Sequence, residues 1–294
     1  MKTIAGAGTA AASRWLFLLL CQVGLVHAMA FAQDDAGTAA YLELGTHARS
    51  LGMGGAFVAL ADDAAALQAN PAGLATLARW ELASLVATGY GAFQYGTLEL
   101  AGPGLAAGYQ WLTSSRIEAR DEQGLPTGTF GLSVAAIRLG AAGWLGPVAA
   151  GASLTYTHED LAVVRGQGFT ADVGLLAPLG SLQLGLVARN LWGSMTYASG
   201  LSDPLDPAYL LGIAWVRDPF TLALEYELGG ALRAGAEIWM APSFALRGGL
   251  ARLREDVSLT CGLGVNLGPL RVDYGYLQPR LLPGSHRLSL GYRF

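Results

Sequence analysis

Lysine is almost missing from this chain: Lys2 is the only one among 294 residues, all charged residues together reach 14%, and the net charge is −4. A soluble domain usually carries about 25% charge, and a nucleic-acid-binding face needs clustered basic side chains, so both readings are disfavoured. Cysteine is equally scarce, with Cys21 in an N-terminal apolar run and Cys261 alone beyond it. That excludes an intramolecular disulfide and a Cys-based zinc site from the processed chain. Four histidines, and no HExxH or GxSxG spacing, leave little material for a metal cluster or a Ser-His nucleophile. His158-Glu159-Asp160 reads as a solvated outer loop rather than a metal site. Ser285 beside His286 is a pair without a third partner. No catalytic residue, metal or cofactor is expected, and the protein reads as a non-enzyme.

Long apolar runs are also lacking after residue 32. The longest uncharged stretch, Leu139 to Thr157, carries four Gly, Pro147 and several hydroxyls, whereas a membrane-spanning helix needs about 20 predominantly apolar residues. Yet 52% of the chain is apolar and 41 residues are Gly, about 14% against the usual ~7%. Twelve Pro are too few for a collagen-like chain. The remaining way to pair every backbone polar group within lipid is a closed β-barrel.

The N-terminus reads as a signal peptide over residues 1–32. Lys2 and Arg14 precede the apolar run Trp15 to Val26, and Ala30-Phe31-Ala32 offers a small-x-small cleavage site before Gln33. Cys21 would suggest lipidation, but bulky Leu20 before it is wrong for that processing.

From residue 81 the apolar period is two, which no helix has. Phe220, Leu222, Leu224, Tyr226 and Leu228 alternate with Thr221, Ala223, Glu225 and Glu227, and the same pattern recurs over 232–240, 257–267 and 270–276. The second face is small or ionic and free of Lys, which suits a crowded lumen rather than a solvated sheet face, and aromatics gather near strand ends. Fourteen strands are expected near 81–90, 93–100, 104–112, 128–140, 147–159, 168–177, 181–190, 207–217, 219–228, 230–240, 242–251, 256–267, 269–277 and 285–294. The even-numbered connections are short turns (GPG, GAAGWLG, PLG, DP, AP, GP), and the longest ones, near 113–127, 160–167, 191–206 and 278–284, are odd-numbered. This alternation is that of an outer-membrane barrel with both wall ends on the periplasmic side. In the last strand Leu288, Leu290, Tyr292 and Phe294 face outward. A terminal strand ending in Phe resembles the signal by which barrel-assembly machinery recognises its clients, carried here by Leu290, Tyr292 and Phe294.

Residues 33–80 differ in character. Asp62 and Asp63 precede an Ala-rich run, as at a helix start, and Asn70-Pro71 must interrupt that helix. Gly52, Gly54 and Gly55 permit close approaches or left-handed backbone, and Asn70-Pro71-Ala72-Gly73 reads as a rigid corner. GMGG lacks the GxGxxG spacing of a nucleotide-binding turn. The segment therefore reads as a partly helical hatch inside the lumen.

Three blocks in order, LGMGGAFVA, ADD and NPAGL within Ala48 to Ala75, resemble the N-terminal signature of the PorV/PorQ family of outer-membrane proteins in the FadL-like superfamily. That resemblance implies a fourteen-stranded barrel with a luminal hatch, and Asn70, Pro71 and Ala72 match the Asn-Pro-Ala motif of FadL-type hatches. It further implies a non-enzymatic component of type IX-like secretion and surface attachment that binds exported cargo proteins. The alternative is a FadL-like channel for long-chain fatty acids or other hydrophobic small molecules. The remaining partner is outer-membrane lipid. Glu225, Glu227, Arg233, Glu237, Arg247, Arg271 and Asp273 fall on neighbouring inward faces and read as a luminal ion-pair network, which Arg49, Asp62 and Asp63 would join to hold the hatch.

Overall fold

The computed structural model describes residues 38–294 apart from 46, 162–163 and 254–255. The expected signal peptide and its cleavage site lie outside these residues. The wall is a meander of antiparallel strands: β1 (Glu81–Gly89), β2 (Phe93–Gly102), β3 (Leu105–Arg120), β4 (Pro126–Leu145), β5 (Val148–Asp160), β6 (Arg165–Leu179), β7 (Leu182–Tyr197), β8 (Ser202–Pro204), β9 (Ala208–Arg217), β10 (Phe220–Glu227), β11 (Ala231–Ala241), β12 (Phe244–Leu253), β13 (Asp256–Leu267), β14 (Leu270–Gln278) and β15 (Ser285–Arg293). β8 is a three-residue appendage of β7, and β9 pairs with β7 directly. The other fourteen form a ring that β1 and β15 close, with Glu81 opposite Arg293 and Thr88 opposite His286. The protein is thus a transmembrane antiparallel barrel of fourteen strands. No helix among the described residues is long and apolar enough to cross a membrane.

Alternation places the apolar side chains outside. In β10, Phe220, Leu222, Leu224 and Tyr226 are exposed while Thr221, Ala223 and Glu225 are buried. A ring leaves no sheet edge, so each strand needs only one lipid-compatible face and one that fits the lumen. Leu288, Leu290, Tyr292 and Phe294 also face outward.

Expected and observed strands differ mainly at one rim. β3 and β4 run on to Arg120 and from Pro126, so the expected loop near 113–127 shrinks to 121–125, and β6 and β7 shorten the neighbouring loops in the same way. Polar side chains such as Glu118 and Arg120 hid these extensions, because above the lipid a strand no longer alternates between apolar and polar. His158 consequently sits in β5 rather than in a loop. At the other rim, the expected GAAGWLG turn narrows to Gly146-Pro147 as β4 continues through Trp144.

Residues 47–76 are packed inside the ring. A helical turn, Ala48–Gly52, leans on β12 to β15, and a 3-10 turn, Pro71–Thr76, leans on β4 to β6, half a ring away. Between them lie a four-residue helix, Ala66–Ala69, and a loop whose Ala56, Phe57 and Leu60 cluster with Ala214 of β9 and Ala223 of β10. The Ala-rich run is much shorter as a helix than its composition suggests. Asp63 accepts from the Ala65 N–H (3.1 Å) at its start, and Pro71 ends it.

Candidate functional site in the lumen

The hatch is held on one side by ions. The Arg49 guanidinium meets Glu237 of β11 through both Nε and Nη2 (3.0 Å each), meets Asp63 through Nη1 (3.2 Å), and is also bonded to Asp62. Glu237 in turn accepts from Arg247 Nε (2.6 Å), Arg247 Nη1 from its other side donates to Asp273 (2.7 Å), and Arg271 pairs with Asp273 (2.7 Å) and lies 3.7 Å from Asp63. Charges removed from water in this way need full pairing, because an unpaired buried ion costs several kcal/mol. Asp63 shows the result: burial alone would raise its pKa, but Arg49, His47 and Arg271 hold it down at about 2. Glu225 joins from β10. It accepts from the N–H groups of Phe57 and Val58 (2.9 Å each) and pairs with Arg233 (2.9 Å), which also binds Glu227 (2.8 Å).

The seven luminal ions expected from alternation thus fall into two groups: Glu237, Arg247, Arg271 and Asp273 meet Arg49, Asp62 and Asp63 of the hatch, while Glu225, Glu227 and Arg233 pair among themselves and reach the hatch through the Phe57 and Val58 N–H groups. Others were not singled out by sequence. His47 Nε2 lies 2.8 Å from Glu99 of β2, Ser289 accepts from the Ala48 N–H (2.7 Å), and Thr260 accepts from the Gly54 N–H (3.1 Å) while donating to the Gly52 carbonyl (3.2 Å). Glu99 stands between Leu98 and Leu100, so its inward side was readable from alternation alone. For His47, burial would lower the pKa, yet the hydrogen bond and charge of Glu99, with the charges of Asp63 and Glu81, carry it up to about 9.

The other anchor is uncharged. The Asn70 side-chain amide donates to the Val58 carbonyl (2.9 Å) within the hatch and to the Leu175 carbonyl (3.0 Å) of β6, while its Oδ1 accepts from the Ala72 N–H (3.1 Å). Pro71 opens the 3-10 turn, where its missing N–H costs nothing. Gly54 has φ +68°, and a Cβ there would lie 2.5 Å from the Ala234 carbonyl oxygen; Gly55 is left-handed as well, and Gly52 abuts Gly262. A Cβ on Gly73 would lie 2.0 Å from the Ala61 carbonyl oxygen. Each glycine admits backbone where a side chain would not fit.

Towards the rim with the long hairpins the lumen changes character. Leu85, Tyr95, Leu112 and Val134 form a buried apolar cluster, flanked by Phe93 and Leu132 and, from the first part of the hatch segment, by Tyr41 and Leu44. Tyr95 donates to the Leu44 carbonyl (3.1 Å) and Gln110 to that of Tyr41 (3.1 Å), which fixes this segment beside the cluster. Ser285 and His286 point to opposite faces: Ser285 bonds the Thr88 carbonyl (2.7 Å), and His286 Nδ1 lies 2.7 Å from the exposed Tyr274 hydroxyl. They form no nucleophile pair. Among the described residues no group of three His, Cys, Asp or Glu is arranged to hold a metal.

Residues 23–171, just over half of the chain, match the model of an uncharacterised protein family, UPF0164. The chain belongs to that family. In this UPF0164 member the match takes in the hatch and β1 to β5, with the start of β6. No curated protein is recognisably similar. Among solved structures, the Ralstonia pickettii toluene transporter TbuX is 15% identical (TM-score 0.62, 85% of this chain and 98% of that chain), and the Pseudomonas putida toluene transporter TodX is 16% identical (TM-score 0.61, 85% and 99%). A Pseudomonas aeruginosa FadL homologue is 11% identical (TM-score 0.55, 85% and 98%). At these identities the likeness establishes that the UPF0164 chain has the FadL-like fold.

Proposed function

We propose that this protein is an outer-membrane channel for hydrophobic small molecules, closed at rest by its hatch and without enzymatic activity. The observation that carries this reading is the buried apolar cluster of Leu85, Tyr95, Leu112 and Val134, set on the inner face of a wall whose other hatch anchors are ionic or amide groups. A polar lumen alone would suit a water-filled pore, whereas apolar inward side chains, once Tyr41 and Leu44 move off them, would lower the free energy of a hydrocarbon solute by about 25 cal/mol per Å² removed from water. The shared fold supports it further, since TbuX and TodX are toluene transporters and CymD a monoaromatic hydrocarbon channel. The secretion role rests on the resemblance of Ala48–Ala75 to PorV/PorQ alone, and what supports the channel is stronger. The outer-membrane location goes with the same reading: residues 1–32 export the chain and the outward Leu290, Tyr292 and Phe294 present it to barrel-assembly machinery.

The test is a strain lacking the gene, measured for uptake of toluene and of oleate alongside its secreted proteins. Reduced uptake with an unchanged secreted set is expected. Unchanged uptake with loss of secreted proteins would overturn the channel in favour of secretion.

A further inference from the structure

A large cavity lies on the outside of the barrel. It is a groove of about 680 Å³ across β2 to β6, at the rim with the short turns. Leu100, Leu105, Leu139 and Leu154 stand up beside it, and the outward positions Ala107, Ala141 and Ala152 form its floor. The groove exists because the wall here is built small on both faces. Inside, the Leu67 side chain of the hatch presses so close that a Cβ on Gly140 would lie 2.5 Å from Leu67 Cδ1 and one on Gly108 2.9 Å from Leu67 Cδ2.

We propose that this groove binds one acyl chain of a bilayer phospholipid, with the lipid phosphate at Arg79. The surface on every side of the groove is the lipid-facing wall, so its occupant is drawn from hydrocarbon. The lining is almost wholly carbon and presents nothing to orient a peptide. The headgroup end is marked too. Trp80 lines the groove, and Trp144 donates to the Ala75 carbonyl (3.0 Å) at the same rim, where indoles sit at the membrane–water interface. Arg79, exposed and directly before Trp80 in the chain, is the cation available to a phosphate at this end. A volume of this size lies within the usual range for small-molecule sites.

Native mass spectrometry of the full chain with added phosphatidylethanolamine tests the site. The wild type should retain one lipid molecule through detergent removal. Ala141→Leu and the double change A141W/A152W fill the floor and should lower retention, the milder one by about tenfold as nearly two methylenes lose their burial. Ala236→Trp, on the lipid face of β11, should leave it unchanged. Arg79→Gln should weaken phosphatidylethanolamine but not diacylglycerol with the same chains. Each variant is checked for a heat-dependent gel shift, and the Leu variant serves if the Trp pair does not fold. Equal retention in filled and control variants would overturn the proposal, as would a dimer that the filling breaks up while lipid retention stays the same.

Discussion

At the scale of single residues, the hatch depends on a few buried charges. Arg49 joins carboxylates from two elements, so Arg49→Ala leaves Glu237 with Arg247 alone and Asp63 with only the more distant Arg271 and His47, in a site with little water. Breaking such a pair costs about 3–5 kcal/mol, with Asp62 contributing little because its side chain is half exposed. The expected result is hatch release, read as fast labelling of a cysteine placed at Ala64, which is fully buried in the wild type. Protonation offers a second handle. The His47 pKa is raised from about 6.5 in the unfolded chain to about 9, so its contribution to hatch docking is complete below pH 6.5 and lost as pH rises through 9. Asp63 is shifted the other way, so its contribution is present above about pH 4 and lost as pH falls through about 2. A pH series of the same labelling should thus show the hatch loosening between pH 6.5 and 9, and His47→Gln should remove that step. A profile identical in His47→Gln would show that another group titrates.

At the scale of elements, the hatch and the wall are matched through backbone contact. Gly235 of β11 faces Met53, and a Cβ there would lie 2.2 Å from the Met53 carbonyl oxygen, an atom that cannot swing aside. Gly235→Ala should therefore destabilise docking by about 1–3 kcal/mol, the usual cost of overpacking, and lower the temperature of the gel-shift transition. Asn70→Ala removes three hydrogen bonds, two of them holding the loop and β6, and should loosen the Pro71–Thr76 side while the Arg49 side stays docked. Labelling at Ala72 but not at Ala48 is the expected outcome. The strands were legible because lipid and lumen impose opposite demands on neighbouring residues, as in Leu98-Glu99-Leu100. The luminal ions followed from the same alternation. What could not be read is where alternation stops carrying information: the extensions of β3 and β4 above the lipid, and the partners His47, Ser289 and Thr260, whose pairing depends on how the hatch folds back across the ring.

At the scale of the whole molecule, the wall and the hatch draw on different physics. Every ring strand finds its backbone partners in two neighbouring strands, and the wall's apolar side chains face lipid, so the wall's closure does not depend on what fills it. The hatch, in contrast, has short helical turns of four to six residues that are marginal in isolation and gain their order from the lumen. Deleting residues 38–76 should therefore leave a barrel that still migrates differently in SDS gels with and without boiling. It should also turn a closed barrel into a conducting one, because the exposed lumen keeps Glu225, Glu237, Arg247 and Asp273, now hydrated. Planar bilayers are expected to show stepwise conductance for the deleted form and little for the intact one. Loss of the gel shift would mean that the small residues facing the hatch cannot hold the ring open without it, and that wall and hatch fold as one unit.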